Sequence, residues 1–159
     1  MCVPRVNIAS TARRSVMKSK LVNDAPKTYV LVLETGDEAV SSIEGFARDN
    51  AIPAAQITAI GAFSDVVLGF FDWETKEYRK IPVREQVEAV SFLGDVALGP
   101  DGKPSLHPHV VVSRATGVAM GGHLLEAHVR PTLEVVLTVS PKHLHKRKDP
   151  ESGLALIVT

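Results

Sequence analysis

The chain has 159 residues and no net charge, and 45% of its residues are apolar and 23% charged. These values are typical of one globular domain and exclude a disordered chain. The lone cysteine, Cys2, excludes an internal disulfide and a cysteine-based zinc or iron–sulfur site. Apolar runs are far shorter than the ~20 residues that span a bilayer, and no apolar signal-peptide stretch is present, so we expect a cytoplasmic protein without membrane contact.

Charge is unevenly distributed along the chain. Residues 1–27 carry six cations and one acidic residue, and residues 142–148 add four cations. The stretch 28–141 holds eight cations and 15 acidic residues, a formal charge of −7. Because an acidic body repels phosphate backbones, any contact with DNA is expected to come from the two ends of the chain. The ordinary interpretation of these ends is a solvated tail and a solvated turn.

The first part of the chain predicts a basic tail followed by a strand and a helix. Residues 1–26 lack a sustained apolar period, which predicts a weakly structured N-terminal tail and a folded domain over residues 27–159. Residues 28–33 are β-branched and apolar and predict a strand. Acidic residues at 37 and 38 favour a helix start, and apolar residues three and four apart predict a helix through about Asn50.

After this helix nearly all of the sequence alternates as strands do. The Gly-Pro-Asp-Gly stretch at 99–102 predicts a hairpin turn. One early helix followed by strands predicts an α+β fold with mainly antiparallel sheets. The predicted strands span residues 57–60, 63–72, 77–81, 88–93, 95–98, 106–113, 117–120, 123–129, 133–139 and 154–158.

The triplet His107-Pro108-His109 is the most informative motif. Side chains alternate along a strand, so both histidines are expected on one face, opposite a core face of apolar residues. Proline cannot donate a hydrogen bond to a neighbouring strand, so Pro108 predicts an edge or a bulge. A hairpin that follows would return His123, after two glycines, to the level of His109.

Three histidines with one coordination position left open are typical of a catalytic zinc site. Imidazole also binds nickel, copper and iron, so the sequence predicts Zn²⁺ or another divalent transition metal. The alternative is that His107, His109 and His123 are ordinary polar histidines. A second such pair, His143 and His145, lies among cations that oppose metal binding and is interpreted as solvated.

Two glutamates and two arginines are further candidates. Glu134 lies in an apolar strand, so it could orient a ligating histidine, act as a general base, or form a salt bridge with an arginine. Glu126, close to His123 in the sequence, is a second candidate catalytic carboxylate. Arg114 and Arg130 could hold an anionic ligand or balance the excess of acidic residues.

Several ordered motifs resemble those of prokaryotic PPC (plants and prokaryotes conserved) domains. The resemblance runs from about residue 27 to residue 158. The motifs are GAFSDVVLGFFD at 61–72, EY at 77–78, IPV at 81–83, GDV at 94–96, GKP at 102–104, HPHV at 107–110, GGHLLE at 121–126 and PTLEVV at 131–136.

This resemblance implies a compact α+β unit that assembles as a homotrimer. Plant members of the family carry AT-hooks that bind DNA, and the single-domain bacterial members are designated DNA-binding through that kinship. The chain has no Arg-Gly-Arg-Pro hook. Some prokaryotic members hold a metal through histidines that match His107, His109 and His123. The wider fold is similar to acetolactate decarboxylase, which implies a small-molecule ligand.

Three hypotheses follow from these motifs. The first is a trimeric, metal-binding PPC protein of unsettled activity that is designated DNA-binding. The second is a metal-dependent enzyme, decarboxylase-like or hydrolase-like, that acts on a small molecule. The third is a trimerisation module in which the histidines are structural.

Overall fold

The computed structural model describes residues 17–140 and 142–158. These residues form one helix and nine strands. In chain order the elements are β1 (Lys18–Asp24), β2 (Lys27–Glu34), α1 (Ala39–Asp49), β3 (Ala54–Asp72), β4 (Glu77–Val83), β5 (Val87–Leu98), β6 (Pro104–Ser113), β7 (Ala119–Val139), β8 (His145–Lys148) and β9 (Ala155–Val158). The prediction of a mainly antiparallel α+β fold is confirmed.

The strands form a single sheet in the order β1-β2-β7-β3-β5-β8-β9, with β4 paired to β3 and β6 paired to both β5 and β7. Four strands, β3, β5, β6 and β7, therefore pair in a closed circuit. Within the described ranges every pairing is antiparallel except the single contact of β5 with β8. This circuit brings β6 and the first part of β7 side by side.

Helix α1 packs on the core and begins at Ala39, directly after the two acidic residues that predict its start. The side chain of Glu38 accepts hydrogen bonds from the backbone N–H groups of Val40 and Ser41, which caps the N-terminus. Ile43, Phe46 and Ala47 are buried. No helix in the described part of the chain is long and apolar enough to cross a membrane.

Several predicted strand breaks lie inside longer strands, and the break predicted near residue 61 is a bulge. Strand β3 spans two predicted strands, and the register shifts between Ala59 and Gly61. Gly61 has a φ of +150°, and a Cβ atom there would overlap the carbonyl oxygen of Thr132. Only glycine fits such a position, so the glycine marks a bend in β3 and not its end.

The prediction of a weakly structured tail over residues 1–26 is wrong for its last part. Residues 18–24 form β1, which pairs antiparallel with β2. The predicted tail up to residue 16 lies outside the described residues. Leu21 and Val22 remain 40% and 51% exposed, so β1 is held mainly by backbone hydrogen bonds at the sheet edge. A strand that buries little apolar surface leaves no alternating pattern in the sequence.

Candidate metal centre

Strand β6 presents two histidines on the face away from the core. Leu106, Pro108 and Val110 are buried, while His107 and His109 between them are exposed. The pairing of β6 with β7 begins at His109, so Pro108 lies where β6 is paired with β5 alone. Proline has no N–H group to donate, but because β7 is not paired with β6 at this residue, no hydrogen bond to β7 is lost. The prediction that the two histidines lie on one face of the strand, opposite the apolar core residues, is confirmed.

The hairpin between β6 and β7 brings the third histidine alongside. His123 of β7 is directly opposite His109 in the antiparallel register. On its other side His123 pairs with Gly69 of β3. A Cβ atom at Gly122 would lie 2.8 Å from the carbonyl oxygen of Gly69, so a larger residue would force β3 and β7 apart. The glycine allows the close approach that holds His123 in place.

The three imidazoles lie close enough to share one ion. One potential ligand atom from each of His107, His109 and His123 lies within 4.8 Å of the other two. Their ring centroids are 5.2 to 5.3 Å apart. Nδ1 of His123 is buried and has no hydrogen-bond partner among the described residues. A buried nitrogen without a partner is costly, and coordination of a metal ion would satisfy it.

The electrostatics of the cluster favour neutral imidazoles. Burial lowers the pKa of His123 to about 4, helped by the nearby His107, His109 and Lys146. Burial also lowers the pKa of His109, with a contribution from His107. Because a metal ion binds the unprotonated ring, both shifts leave the nitrogens available at neutral pH.

Asp95 and Lys146 form a polar layer behind His107. Nδ1 of His107 lies 3.5 Å from Oδ2 of Asp95, whose Oδ1 lies 3.5 Å from Nζ of Lys146. Burial alone would raise the pKa of Asp95, but its contacts with His107 and Lys146 lower it overall. An anionic carboxylate beside Nδ1 can orient the ring so that Nε2 faces a metal.

The interpretation of residues 142–148 as a solvated turn is wrong for Lys146. Residues 145–148 form β8, and the Lys146 side chain is only 4% exposed. Its ammonium donates a hydrogen bond of 3.0 Å to the carbonyl oxygen of Ser105. A run of cations gives no sign of which one is buried, so the sequence missed this residue. The second histidine pair of the sequence, His143 and His145, is exposed, and the two rings are 6.5 Å apart.

The candidate glutamates lie outside the histidine cluster. Glu134 is exposed and pairs with Ile60 near the middle of the β3–β7 pairing, whereas His123 pairs with Gly69 at its end. Glu126 is also exposed and lies 3.8 Å from Nε2 of His128, which in turn contacts Asp65. The structure therefore does not bring either carboxylate together with the three imidazoles.

The two candidate arginines are also separated from the cluster. Arg114 forms an ion pair of 3.0 Å with Glu85, so it does not pair with Glu134. Arg130 is exposed near the middle of β7. The buried cation beside the histidines is Lys146, and neither arginine takes that position.

Proteins of known structure share this fold. The model of the Plants and Prokaryotes Conserved (PCC) domain, the PPC domain above, matches residues 22–141. A candidate DNA-binding protein from Ralstonia eutropha JMP134 is 35% identical, with a TM-score of 0.77 over 82% of this chain and 90% of that one. A metal-containing protein from Archaeoglobus fulgidus is 34% identical, with a TM-score of 0.76 over 92% of this chain and 100% of that one.

A more distant likeness concerns the fold alone. A protein of unknown function from Staphylococcus aureus, similar to α-acetolactate decarboxylase, is 11% identical and has a TM-score of 0.54 over 79% of this chain and 55% of that one. Comparison with the curated proteins gave no match. The family match covers most of the folded residues, and together with these structures it shows that the chain belongs to the Plants and Prokaryotes Conserved domain family.

Proposed function

We propose that the chain is a metal-binding PPC protein in which His107, His109 and His123 hold Zn²⁺ or another divalent transition metal. The observation that carries this proposal is the convergence of three imidazoles, each with a potential ligand atom within 4.8 Å of the others. Three neutral nitrogen donors leave one position of a tetrahedral ion open to a small molecule. The metal-containing relative from Archaeoglobus fulgidus supports the same conclusion.

The proposal extends to an enzyme if the metal centre catalyses a reaction of a small molecule. A divalent ion supplies Lewis-acid chemistry, polarising a carbonyl or lowering the pKa of water. An enzyme also needs a proton-transferring group beside the reacting atoms. Glu126 and Glu134 lie outside the cluster, whereas Tyr78, Asp95 and Lys146 surround it. These three residues are the better candidates for proton transfer in a decarboxylase-like or hydrolase-like reaction.

Metal titration tests the proposal directly. The chain is stripped with a chelator, titrated with Zn²⁺ and examined by native mass spectrometry. We expect one zinc per chain, because three imidazoles and a solvent or ligand molecule complete one tetrahedral site. Absence of stoichiometric zinc uptake, together with absence of nickel, copper and cobalt uptake, would reject the metal centre.

The outer face of the sheet supports self-association. Ile60, Val90 and Val136 lie on the neighbouring strands β3, β5 and β7 and are 62%, 58% and 42% exposed. Exposed apolar groups that cluster on one face commonly mark a protein interface. We propose that this face joins copies of the chain in a homotrimer, which is the assembly that the family resemblance implies. The same mass spectra give the number of chains per assembly.

DNA binding is the second candidate function. The relative from Ralstonia eutropha supports it, as do the exposed cations Lys142, Arg147 and Lys148. We expect any complex to weaken steeply with salt and to disappear when these three residues are changed to glutamine, because the acidic body repels phosphate. A gel-shift titration of the full chain measures this, and no shift at low salt would reject DNA binding.

A further inference from the structure

A cavity of about 190 Å³ lies between the histidine cluster and the C-terminal hairpin formed by β8 and β9. His107 and His123 form part of its wall. Tyr78 and Lys146 add polar groups, and Leu154 and Leu156 add apolar ones. A molecule in this cavity would therefore touch two proposed metal ligands, one buried cation and an apolar surface.

Lys146 is the unusual residue of this wall. A lysine that is almost fully buried is rare unless its charge is compensated. Its ammonium has three donors, of which one is used by the carbonyl of Ser105. Oδ1 of Asp95 lies 3.5 Å away, a looser contact. These two contacts leave donor capacity for a further acceptor.

The charges around the cavity favour an anionic ligand. The three histidines contribute no negative charge to a bound divalent ion, and the carboxylates that act on the Lys146 ammonium are those of Asp95 and Glu44. The metal-loaded site would thus still keep an excess of positive charge in a partly dehydrated wall. An anionic ligand would neutralise part of this excess, and such contacts are stronger away from bulk water.

The size and the apolar wall limit the ligand further. An apolar cavity of about 150 Å³ takes a molecule the size of benzene. The present cavity is slightly larger and adds the leucines of the hairpin to the buried Leu106. These features suit a short hydrocarbon tail better than a sugar or a nucleotide.

We propose that the cavity binds a small carboxylate, whose anionic group lies between the metal position and the Lys146 ammonium and whose hydrocarbon tail packs on the leucines. The inference rests on the proposed metal centre. In this inference Lys146 is the cation that binds the anionic group of the ligand. The C-terminal hairpin, to which Lys146 belongs, forms one wall of the cavity.

Binding of butyrate to the zinc-loaded chain tests the inference. Isothermal titration with butyrate and with the uncharged butyramide compares two molecules of nearly equal shape. We expect butyrate to bind at least about 10-fold more tightly than butyramide, and Lys146→Met to weaken butyrate binding by about 10-fold or more. Lys148→Met changes an exposed lysine on the same strand and should leave butyrate binding unchanged.

Zinc content and melting temperature are measured for every variant in the same experiment. A chain that takes up no zinc overturns the metal centre itself, whereas normal zinc content with equal binding of butyrate and butyramide overturns this inference alone. Equal butyrate binding by Lys146→Met and the unaltered chain would show that the buried lysine is only structural. If Lys146→Met does not fold, the comparison of butyrate with butyramide on the unaltered chain still decides whether the cavity prefers a carboxylate.

Discussion

Replacing His109 with alanine should lower the affinity of the chain for zinc by more than about 100-fold. Loss of a partner that merely orients a ligand costs 10- to 100-fold in metal affinity, and loss of a direct ligand should cost more. The three rings form a nearly equilateral triangle, with the His109 centroid 5.2 and 5.3 Å from the other two, so removal of His109 leaves only two donors. Competition with a chromophoric chelator measures the affinity.

His143→Ala is the matched control for this experiment. His143 belongs to the second histidine pair of the sequence and is exposed outside the cluster. We expect the control to bind zinc as the unaltered chain does. Zinc binding by His109→Ala at full strength, or an equal loss in both variants, would show that the three rings do not form the metal centre.

Replacing Phe63 with alanine should destabilise the fold by about 3–5 kcal/mol. Phe63 is fully buried and lies on β3, opposite Val87 of β5 and Val129 of β7. The alanine removes the ring and leaves a cavity that strands paired on both sides close only in part. Urea unfolding at a fixed protein concentration measures the free energy of unfolding, since assembly would otherwise alter the apparent value.

Phe70→Ala provides the comparison within the same strand. Phe70 is 55% exposed, so its removal creates no internal cavity. We expect a loss below about 1 kcal/mol. A similar loss in the two variants would mean that burial along β3 differs from the structure described above.

The sequence predicts most of the fold and the histidine cluster because both depend on local alternation. Strand β6 shows this directly, since buried Leu106 and Val110 alternate with His107 and His109. Side chains on a strand must point to opposite faces, so one pattern fixes both the core and the exposed pair. The short hairpin that follows then fixes the position of His123.

The features that the sequence does not predict depend on contacts between distant segments. Lys146 is buried because β8 pairs with β9 and reaches Ser105 on β6. The core face of β7 passes from Leu124 to Ala127 at a bulge, so strict alternation of the two faces fails there. Such a bulge adds one residue to a strand and reverses the faces beyond it.

Strand β7 is long enough to contribute residues to two separate surfaces. Its first residues carry His123, and its last part carries Glu134 and Val136 on the outer apolar face. Substitutions that are far apart and share no partners have nearly additive effects on stability. The proposed metal centre and the proposed contact between copies of the chain can therefore diverge separately in relatives of this protein, even though a single stretch of backbone supports both.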